Sequence, residues 1–471
     1  MNKKKLRKQY ILTDISSALV SWCLFFYFRE SIVEKENFYI NEQILNDLNF
    51  YIGLVLYITF WQLLHYLSGY YNNPYQKARL KELWITFNTA LVGTTVVFFL
   101  IIINDKVENY QTYYVLLYIL FAIHFTLTYI FRLMITAQVI NKINKGKIGY
   151  PTILVCSTQN NLSYYYKILQ NHHKTKSKFL GYVTIDKNIE GLENYIPFHG
   201  NFEQITKVVQ KHHIEEILVA VGDKQDFDYK KIISRLKAIN VMIKIIPAPS
   251  DYFANHVSIS TLNNDPLMEI PNIAMSDWET NIKRLYDVVL STFAIFLLLP
   301  VFLVVSAAIK LLTKGPVFFF QERVGKNGKP FKIYKFRTMY TDAEKNGPAL
   351  ASINDPRITP IGRILRNTRI DEIPQFFNVL KGDMAIVGPR PERQFYIDQI
   401  VITNPEYLRL QKIKPGITSL GQVKFGYAKN INEIIKRMHY ELLYIENMSI
   451  YMDIKIMILT VAVVFLRKGA A

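Results

Sequence analysis

Four apolar blocks, roughly residues 10 to 28, 49 to 70, 83 to 104 and 112 to 138, limit what this chain can fold into more than any other feature. Each is close to the about 20 residues that an α-helix needs to cross the hydrocarbon core of a bilayer. They predict four transmembrane helices, and no signal-peptide cleavage pattern precedes them. Half of the 471 residues are hydrophobic and 14% are aromatic, a share concentrated in these blocks. Lys3, Lys4, Lys5, Arg7 and Lys8, then Lys77, Arg79 and Lys81, then Lys142, Lys145 and Lys147 flank alternate ends. Glu30, Glu34, Glu36, Asp47, Asp105 and Glu108 occupy the other loops. The positive-inside rule therefore puts the start of the chain, and everything after about residue 140, on the cytoplasmic side.

From about residue 150 to 275 the pattern changes to short β-rich runs between polar helical stretches. Thr152 to Cys156, Phe179 to Ile185, Ile214 to Val221 and Val241 to Ile246 read as strands of a small Rossmann-like α/β domain. Its first strand runs into Ser157-Thr158-Gln159-Asn160-Asn161, where a dinucleotide site needs glycines that let backbone amides approach a pyrophosphate. Cofactor binding is not expected there; a folded spacer or regulatory module is. Pro247, Pro249, Pro266 and Pro271 mark a linker. The only two cysteines, Cys23 and Cys156, have neither disulfide-framework nor metal-ligand spacing.

The last 190 or so residues open with Lys283, Arg284 and Asp287, followed by an uncharged run from Val288 to Ile309 that Pro300 interrupts. A fifth crossing would export Lys314, Arg323, Lys326, Lys329, Lys332, Lys335 and Arg337 against the positive-inside rule. A re-entrant helix over about 282 to 312, bent by Pro300, avoids this; an ordinary span with a tolerated proline kink is the alternative. Ile456 to Leu466 is too short to cross and is expected in the interface. The predicted organisation is a four-helix transmembrane domain (1–145), a Rossmann-like α/β domain (146–275) and an α-rich C-terminal domain with a re-entrant helix and interfacial helices (276–471).

Between Gln321 and Ile370 there are eleven Lys or Arg against four acids. With few and aperiodic aromatics this excess suits a di-anionic nucleotide sugar or a lipid phosphate better than nucleic acid, although most of the lysines read equally well as solvated or headgroup-facing. Asp371 and Glu372 follow directly, in Arg366-Asn367-Thr368-Arg369-Ile370-Asp371-Glu372-Ile373-Pro374-Gln375. Pro374 fits a first turn and Gly382 a helix end, so a helix is expected to begin around Asp371. Adjacent carboxylates among arginines can hold a divalent metal and offer an oxygen nucleophile to phosphorus. Acids at a helix start are equally common as capping residues.

Lys283-Arg284-Leu285-Tyr286-Asp287, Gly315-Pro316-Val317-Phe318, Tyr334-Lys335-Phe336-Arg337-Thr338-Met339, Asp371-Glu372-Ile373-Pro374-Gln375, Asn378 to Met384, Val387-Gly388-Pro389-Arg390-Pro391 and Lys414 to Thr418 together resemble the monotopic phosphoglycosyl transferases, a family of bacterial sugar transferases. The resemblance covers about residues 281 to 471. With the preceding spans and α/β domain, the chain looks like the large subtype, polyprenyl-phosphate hexose-1-phosphate transferases of the bacterial inner membrane. The resemblance implies a ping-pong reaction. Asp371 attacks the β-phosphorus of a UDP-hexose, UMP leaves, and undecaprenyl phosphate takes the phosphosugar, beginning capsule, exopolysaccharide or O-antigen synthesis. It implies Mg2+ held by Asp371 and Glu372, with handling a proton the other role open to Glu372, phosphate contacts from Arg366 and Arg390, and a basic motif at Lys335 and Arg337 near the site. Lys283, Arg284, Asp287 and Pro300 would belong to the re-entrant helix. Membrane lipids are implied partners, and homodimerisation stays open. The chain departs from the family pattern at Leu299-Pro300 (usually Ser-Pro), at Ser419 (usually Gly) and at Tyr440-Glu441 (usually Tyr-Asp).

Two other classes compete. A membrane nucleotide-sugar dehydratase needs a glycine-rich loop that residues 153 to 161 do not supply. A non-catalytic scaffold has no use for Asp371-Glu372 in this setting.

Overall fold

The structure is a computed structural model. It describes residues 3–33, 48–75, 77–100, 109–157, 162–170, 176–186, 189–220, 229–239, 241–246, 258–259, 268–270, 275–345, 347, 355–426, 428 and 430–465. The expectations placed on Glu34, Glu36, Asp47, Asp105, Glu108, Thr158 to Asn161 and the linker prolines Pro247, Pro249, Pro266 and Pro271 lie outside these residues. The chain folds as two compact units, the first Met1–Asp223 with Lys244–Phe253 and Asn263–Leu267, the second Lys224–Ile243, Ala254–Leu262 and Met268–Ala471.

In the first unit, α1 (Lys3–Val33), α2 (Leu48–Leu67), α3 (Arg79–Leu100) and α4 (Tyr110–Asn144) are each long and apolar enough to cross a membrane. α1 and α4 run past their apolar blocks, to Lys3 and Asn144, because lysine-bearing flanks continue the helix. Trp22, Phe25, Tyr57, Trp61 and Leu120 fill the bundle. Gly93 admits the Trp61 ring so closely that a Cβ there would sit 2.3 Å from it.

The bundle interior is not purely apolar. Arg132 of α4 binds Asp14 of α1 through Nε and Nη2, both at 2.8 Å, and Thr86 of α3 through Nη1 at 3.2 Å. The Tyr71 hydroxyl donates to Asp14 at 2.6 Å. Both charged side chains are at most 1% exposed. Charges in apolar surroundings persist when paired and hydrogen-bonded, and removing one partner leaves the other unsolvated. Asp14→Asn is therefore expected to destabilise the bundle by about 3–5 kcal/mol, measured as a fall in unfolding temperature in detergent; Asp14→Leu with Arg132→Met should recover much of it.

Beyond the helices, β1 (Tyr150–Cys156), α5 (Leu162–Gln170), β2 (Ser177–Thr184), β3 (Phe198–Asn201), α6 (Ile205–His212) and β4 (Glu216–Ala220) build an α/β layer with parallel strands in the order β3-β2-β1-β4. The order, with β4 fully buried and β1 buried from Thr152 to Cys156 at its centre, fits the Rossmann-like expectation. The Ser157 amide at the end of β1 donates to the Tyr165 hydroxyl at 2.9 Å. After α7 (Tyr229–Ala238), the strand β5 (Met242–Ile245) follows β4 in the sheet order, and the short strands β6 (Ser258–Ile259) and β7 (Met268–Ile270) pair antiparallel.

The second unit continues with α8 (Asp277–Leu297) and α9 (Leu299–Leu312), which meet at Leu298 with a bend of 59°. Ser276 and Glu279 cap the start of α8 reciprocally. Pro300 lies in the first turn of α9, where its missing N–H costs no helix bond. One face of α9, Phe302, Val305 and Ile309, packs on Phe336 and Leu365, while Phe293, Phe296, Leu303, Val304 and Leu311 of the pair are exposed. The hairpin β8 (Phe318–Val324) and β9 (Pro330–Phe336), then α10 (Pro360–Asn367), α11 (Gln375–Lys381), β10 (Ala385–Val387), α12 (Gln394–Thr403), β11 (Gly416–Thr418), α13 (Leu420–Lys424), α14 (Ile431–Glu446) and α15 (Ile450–Phe465) complete it. β10 and β11 pair in parallel, over a core that includes Val379, Met384, Ile400, Met438 and Ile445.

Candidate active site

Asp371 and Glu372 do not open a helix, contrary to the expectation from Pro374 and Gly382. They lie in a separate 3-10 turn, Ile370–Glu372, and α11 begins only at Gln375, with Pro374 as its cap. One residue before the turn the chain changes hand. Arg369 adopts φ 60°, ψ 14°, a left-handed conformation that a side chain with a Cβ adopts at a cost of about 1–3 kcal/mol, and it breaks the run from α10. Gly382 does end α11, at φ 95°.

The turn is held from both sides. In α10 the Thr359 hydroxyl accepts the Gly362 amide at 3.0 Å, and Gly362 lies so near the Thr338 carbonyl that a Cβ would stand 2.0 Å from it. At its far end Arg366 donates from Nε to the Thr338 hydroxyl at 2.9 Å. Asn378 of α11 hooks β9, accepting the Tyr334 amide at 2.9 Å and donating to the Lys332 carbonyl at 2.7 Å. β9 is thereby fixed where its Lys335 reaches the acids.

Both carboxylates are buried, with 7% and 8% of their residues exposed, but their partners differ. Glu372 Oε1 accepts from Lys335 Nζ at 2.8 Å and from Arg390 Nη2 at 3.3 Å, and Oε2 faces Arg369 at 3.9 Å. Among the described residues no donor hydrogen-bonds the Asp371 carboxylate. Their acidities separate accordingly. Burial pushes Asp371 up to about 6 against the pull of Lys335, and the charge of Glu372 adds to the rise. Burial works on Glu372 in the same direction, yet Lys335, Arg390 and Arg369 outweigh it and hold that carboxyl far below the ordinary range. Two adjacent acids thus divide into a permanent anion bound to cations and an unengaged one that ionises near neutrality.

Among the described residues no group of three or more His, Cys, Asp or Glu could hold a metal. Magnesium does not need one; it is commonly held by one or two carboxylates, water and substrate phosphate. The unengaged Asp371 carboxylate beside Glu372 fits that donor set.

The other expected residues fall in different places. Arg366 contributes charge to Asp371 while anchored on Thr338. Arg337 is turned toward the end of α9, donating to the Thr313 hydroxyl at 2.6 Å and the Lys314 carbonyl at 2.9 Å, as a cation at a helix C-terminus does. Lys283, Arg284 and Asp287, flagged for the membrane helix, all brace the site. Arg284 donates to the Val379 and Leu380 carbonyls at 2.6 and 2.9 Å, capping α11. Lys283 donates to the Val387 carbonyl at 2.9 Å and pairs with Asp453, and Asp287 accepts the Ile386 amide at 3.0 Å, so both grip β10 just before Arg390. The sequence alone assigns no function to Glu392, Arg437 or Glu441, and Glu441 stands out in it only as a departure from the family pattern.

An acid pair among guanidinium groups, on a hairpin-and-helix frame behind a bent helix pair, coincides with residues 278–467, which match the family model described as bacterial sugar transferase. The chain belongs to this family. It is 40% identical over 181 residues to a Caulobacter vibrioides protein named UDP-glucose:undecaprenyl-phosphate glucose-1-phosphate transferase, covering 38% of this chain and 68% of that protein. A Klebsiella pneumoniae protein of the same name is 34% identical over 275 residues, 58% of this chain and 59% of its own length. An Aeromonas hydrophila protein named UDP-N-acetylgalactosamine-undecaprenyl-phosphate N-acetylgalactosaminephosphotransferase is 35% identical over 254 residues, 53% and 59%. The chain thus spans under two thirds of the length of the latter two. Residues 66–247 match a second model, described as CoA-binding domain.

Proposed function

We propose that this protein transfers a hexose 1-phosphate from a UDP-hexose to undecaprenyl phosphate, initiating surface-polysaccharide synthesis in a bacterial inner membrane. The observation that carries the reading is the division of labour between Asp371 and Glu372. An Asp371 oxygen attacks the β-phosphorus of the donor, the bond to the bridging oxygen breaks, and UMP leaves with that electron pair. The acceptor phosphate then attacks the aspartyl phosphosugar, and the Asp371 carboxylate is released. A carboxylate meets a phosphate as a nucleophile only when the surrounding negative charge is offset. Lys335, Arg390, Arg369 and Arg366 supply that positive charge, and Glu372 keeps the first three from pairing with Asp371. Magnesium, held by Asp371 and Glu372, would neutralise diphosphate charge as the transferring phosphorus is attacked.

The bend between α8 and α9 supports a re-entrant pair, whose exposed apolar residues sit in the cytoplasmic leaflet and keep the acids beside a lipid acceptor. The relatives are named for glucose and for N-acetylgalactosamine, so the donor class is UDP-hexose. The test is incubation of purified protein with UDP-glucose, UDP-galactose or their N-acetylated forms and undecaprenyl phosphate. Multiple-turnover UMP formation that the acceptor sustains is expected with one of them; no UMP with any would overturn the reading.

A further inference from the structure

Arg337 follows Lys335 by two residues, about 7 Å along an extended chain, yet the two side chains serve different elements. Lys335 Nζ meets Glu372 at 2.8 Å. Arg337, 5% exposed, closes instead on the C-terminal end of α9. Its Nη1 donates to the Lys314 carbonyl at 2.9 Å, and its Nη2 donates to the Thr313 hydroxyl at 2.6 Å and to the Thr313 carbonyl at 3.4 Å. Among the described residues no carboxylate pairs with it. A buried guanidinium without a counter-ion costs desolvation, which here the carbonyls and the negative end of the α9 dipole offset.

The turn between α9 and β8 is shaped to this side chain. Gly315 has φ 121°, a conformation that favours glycine, and a Cβ there would stand 2.0 Å from Arg337 Nη1. Thr313, which ends α9, donates its hydroxyl to the Ile309 carbonyl at 2.7 Å while accepting from Arg337. The Arg337 amide donates to the Val317 carbonyl at 2.9 Å, one bond beyond the β8–β9 ladder in which Phe318 faces Phe336 and Phe319 faces Lys335. Phe336, between the two cations, packs on Phe302 of α9 with ring centroids 5.2 Å apart. The next residue, Thr338, accepts Arg366 at 2.9 Å. Four consecutive residues thus tie together the acid pair, the inner face of α9, the end of α9 and Arg366.

We propose that Arg337 is a positioning residue for phosphoryl transfer: by fastening the end of β9 to the end of α9 it sets where the Lys335 ammonium meets Glu372 and the donor phosphate. The inference rests on the reading of Lys335 as part of the positive charge that faces the donor. Arg337 makes no hydrogen bond or ion pair with either acid among the described residues. Its influence passes through two residues of backbone to one ammonium, and a double-mutant cycle isolates such a path.

The experiment compares full-length wild type, Arg337→Gln, Lys335→Ala and the double variant, measuring kcat and KM for the UDP-hexose and the unfolding temperature of each. Arg337→Gln is expected to lower kcat/KM by about tenfold with Lys335 present, chiefly through kcat, but by less than about twofold once Lys335 is alanine. Its effect on unfolding temperature should be the same in both backgrounds. Thr313→Val removes one of the three acceptors and leaves the guanidinium in place; it should give a smaller rate loss with the same dependence on Lys335. Arg337→Lys, which keeps the charge but not the fork, should recover part of the loss. Equal rate losses in both backgrounds would overturn the proposal, since a direct phosphate contact or a general support for the fold acts whether or not Lys335 is present. An unchanged rate in Arg337→Gln would overturn it as well. Wild-type protein that forms no UMP, or a Lys335→Ala variant with unaltered kinetics, would instead remove the parent reading.

Discussion

Asp371→Asn is expected to abolish UMP release and, at pH 7 and above, to raise the unfolding temperature. The substitution removes the nucleophilic oxygen at nearly constant volume, so the rate loss is chemical. The gain in stability follows from the shift of Asp371 from an ordinary 3.8 to about 6. A group that binds its proton more tightly in the folded chain carries no penalty below its unfolded value, where both states are protonated. The penalty grows as pH rises from about 4 to about 6 and is complete above that, on the order of 2–3 kcal/mol. Asparagine does not titrate, so the difference in unfolding temperature between variant and wild type should widen across this window in magnesium-free buffer. The same titration sets the acid limb of the wild-type rate, with UMP formation at low donor concentration falling as pH drops below about 6. A variant no more stable than wild type at pH 7.5 would contradict the burial cost; residual wild-type turnover would contradict the nucleophile.

Glu372→Gln should do the opposite to stability. Glu372 is the shared anion of Lys335, Arg390 and Arg369, and losing it deprives three partly buried cations of that partner, a cost of about 1–3 kcal/mol. Because its folded-state acidity is strengthened, this contribution is fully present above the ordinary carboxylate range and fades as pH falls through the depressed value, so the deficit is largest near pH 7 and shrinks in acid. Activity should fall sharply, yet the acid limb of the remaining rate should move to lower pH. The neighbouring negative charge that raises Asp371 is gone, and Lys335 is free to face it. Calorimetry at pH 7 and about pH 3, with a pH–rate profile, reads both effects. Wild-type stability at pH 7, or a limb that moves upward, would contradict the pairing.

The spans were legible because about 20 consecutive apolar residues have few other uses, and their overshoot at Lys3 and Asn144 reflects polar helix ends that hydropathy does not score. The Asp14–Arg132 pair was not legible: partners 118 residues apart are chosen by packing, and nothing local in either apolar block marks its charge as paired. The acid pair and Arg390 could be picked out by residue type, but the left-handed Arg369 that separates them from α10 could not, since arginine gives no local signal for positive φ. Lys283, Arg284 and Asp287 read as flanks of a membrane helix because they precede one. Their role at β10 and α11 arises from contacts about a hundred residues away.

The decisive measurement is a single-turnover one. Purified protein given the UDP-hexose it uses, radiolabelled in the sugar, with no acceptor present, should release UMP in about one equivalent per active site and retain the label on a peptide containing Asp371. Adding undecaprenyl phosphate should then transfer the label to lipid. UMP that forms only when acceptor is present, with no labelled peptide at any time during active turnover, would contradict the account.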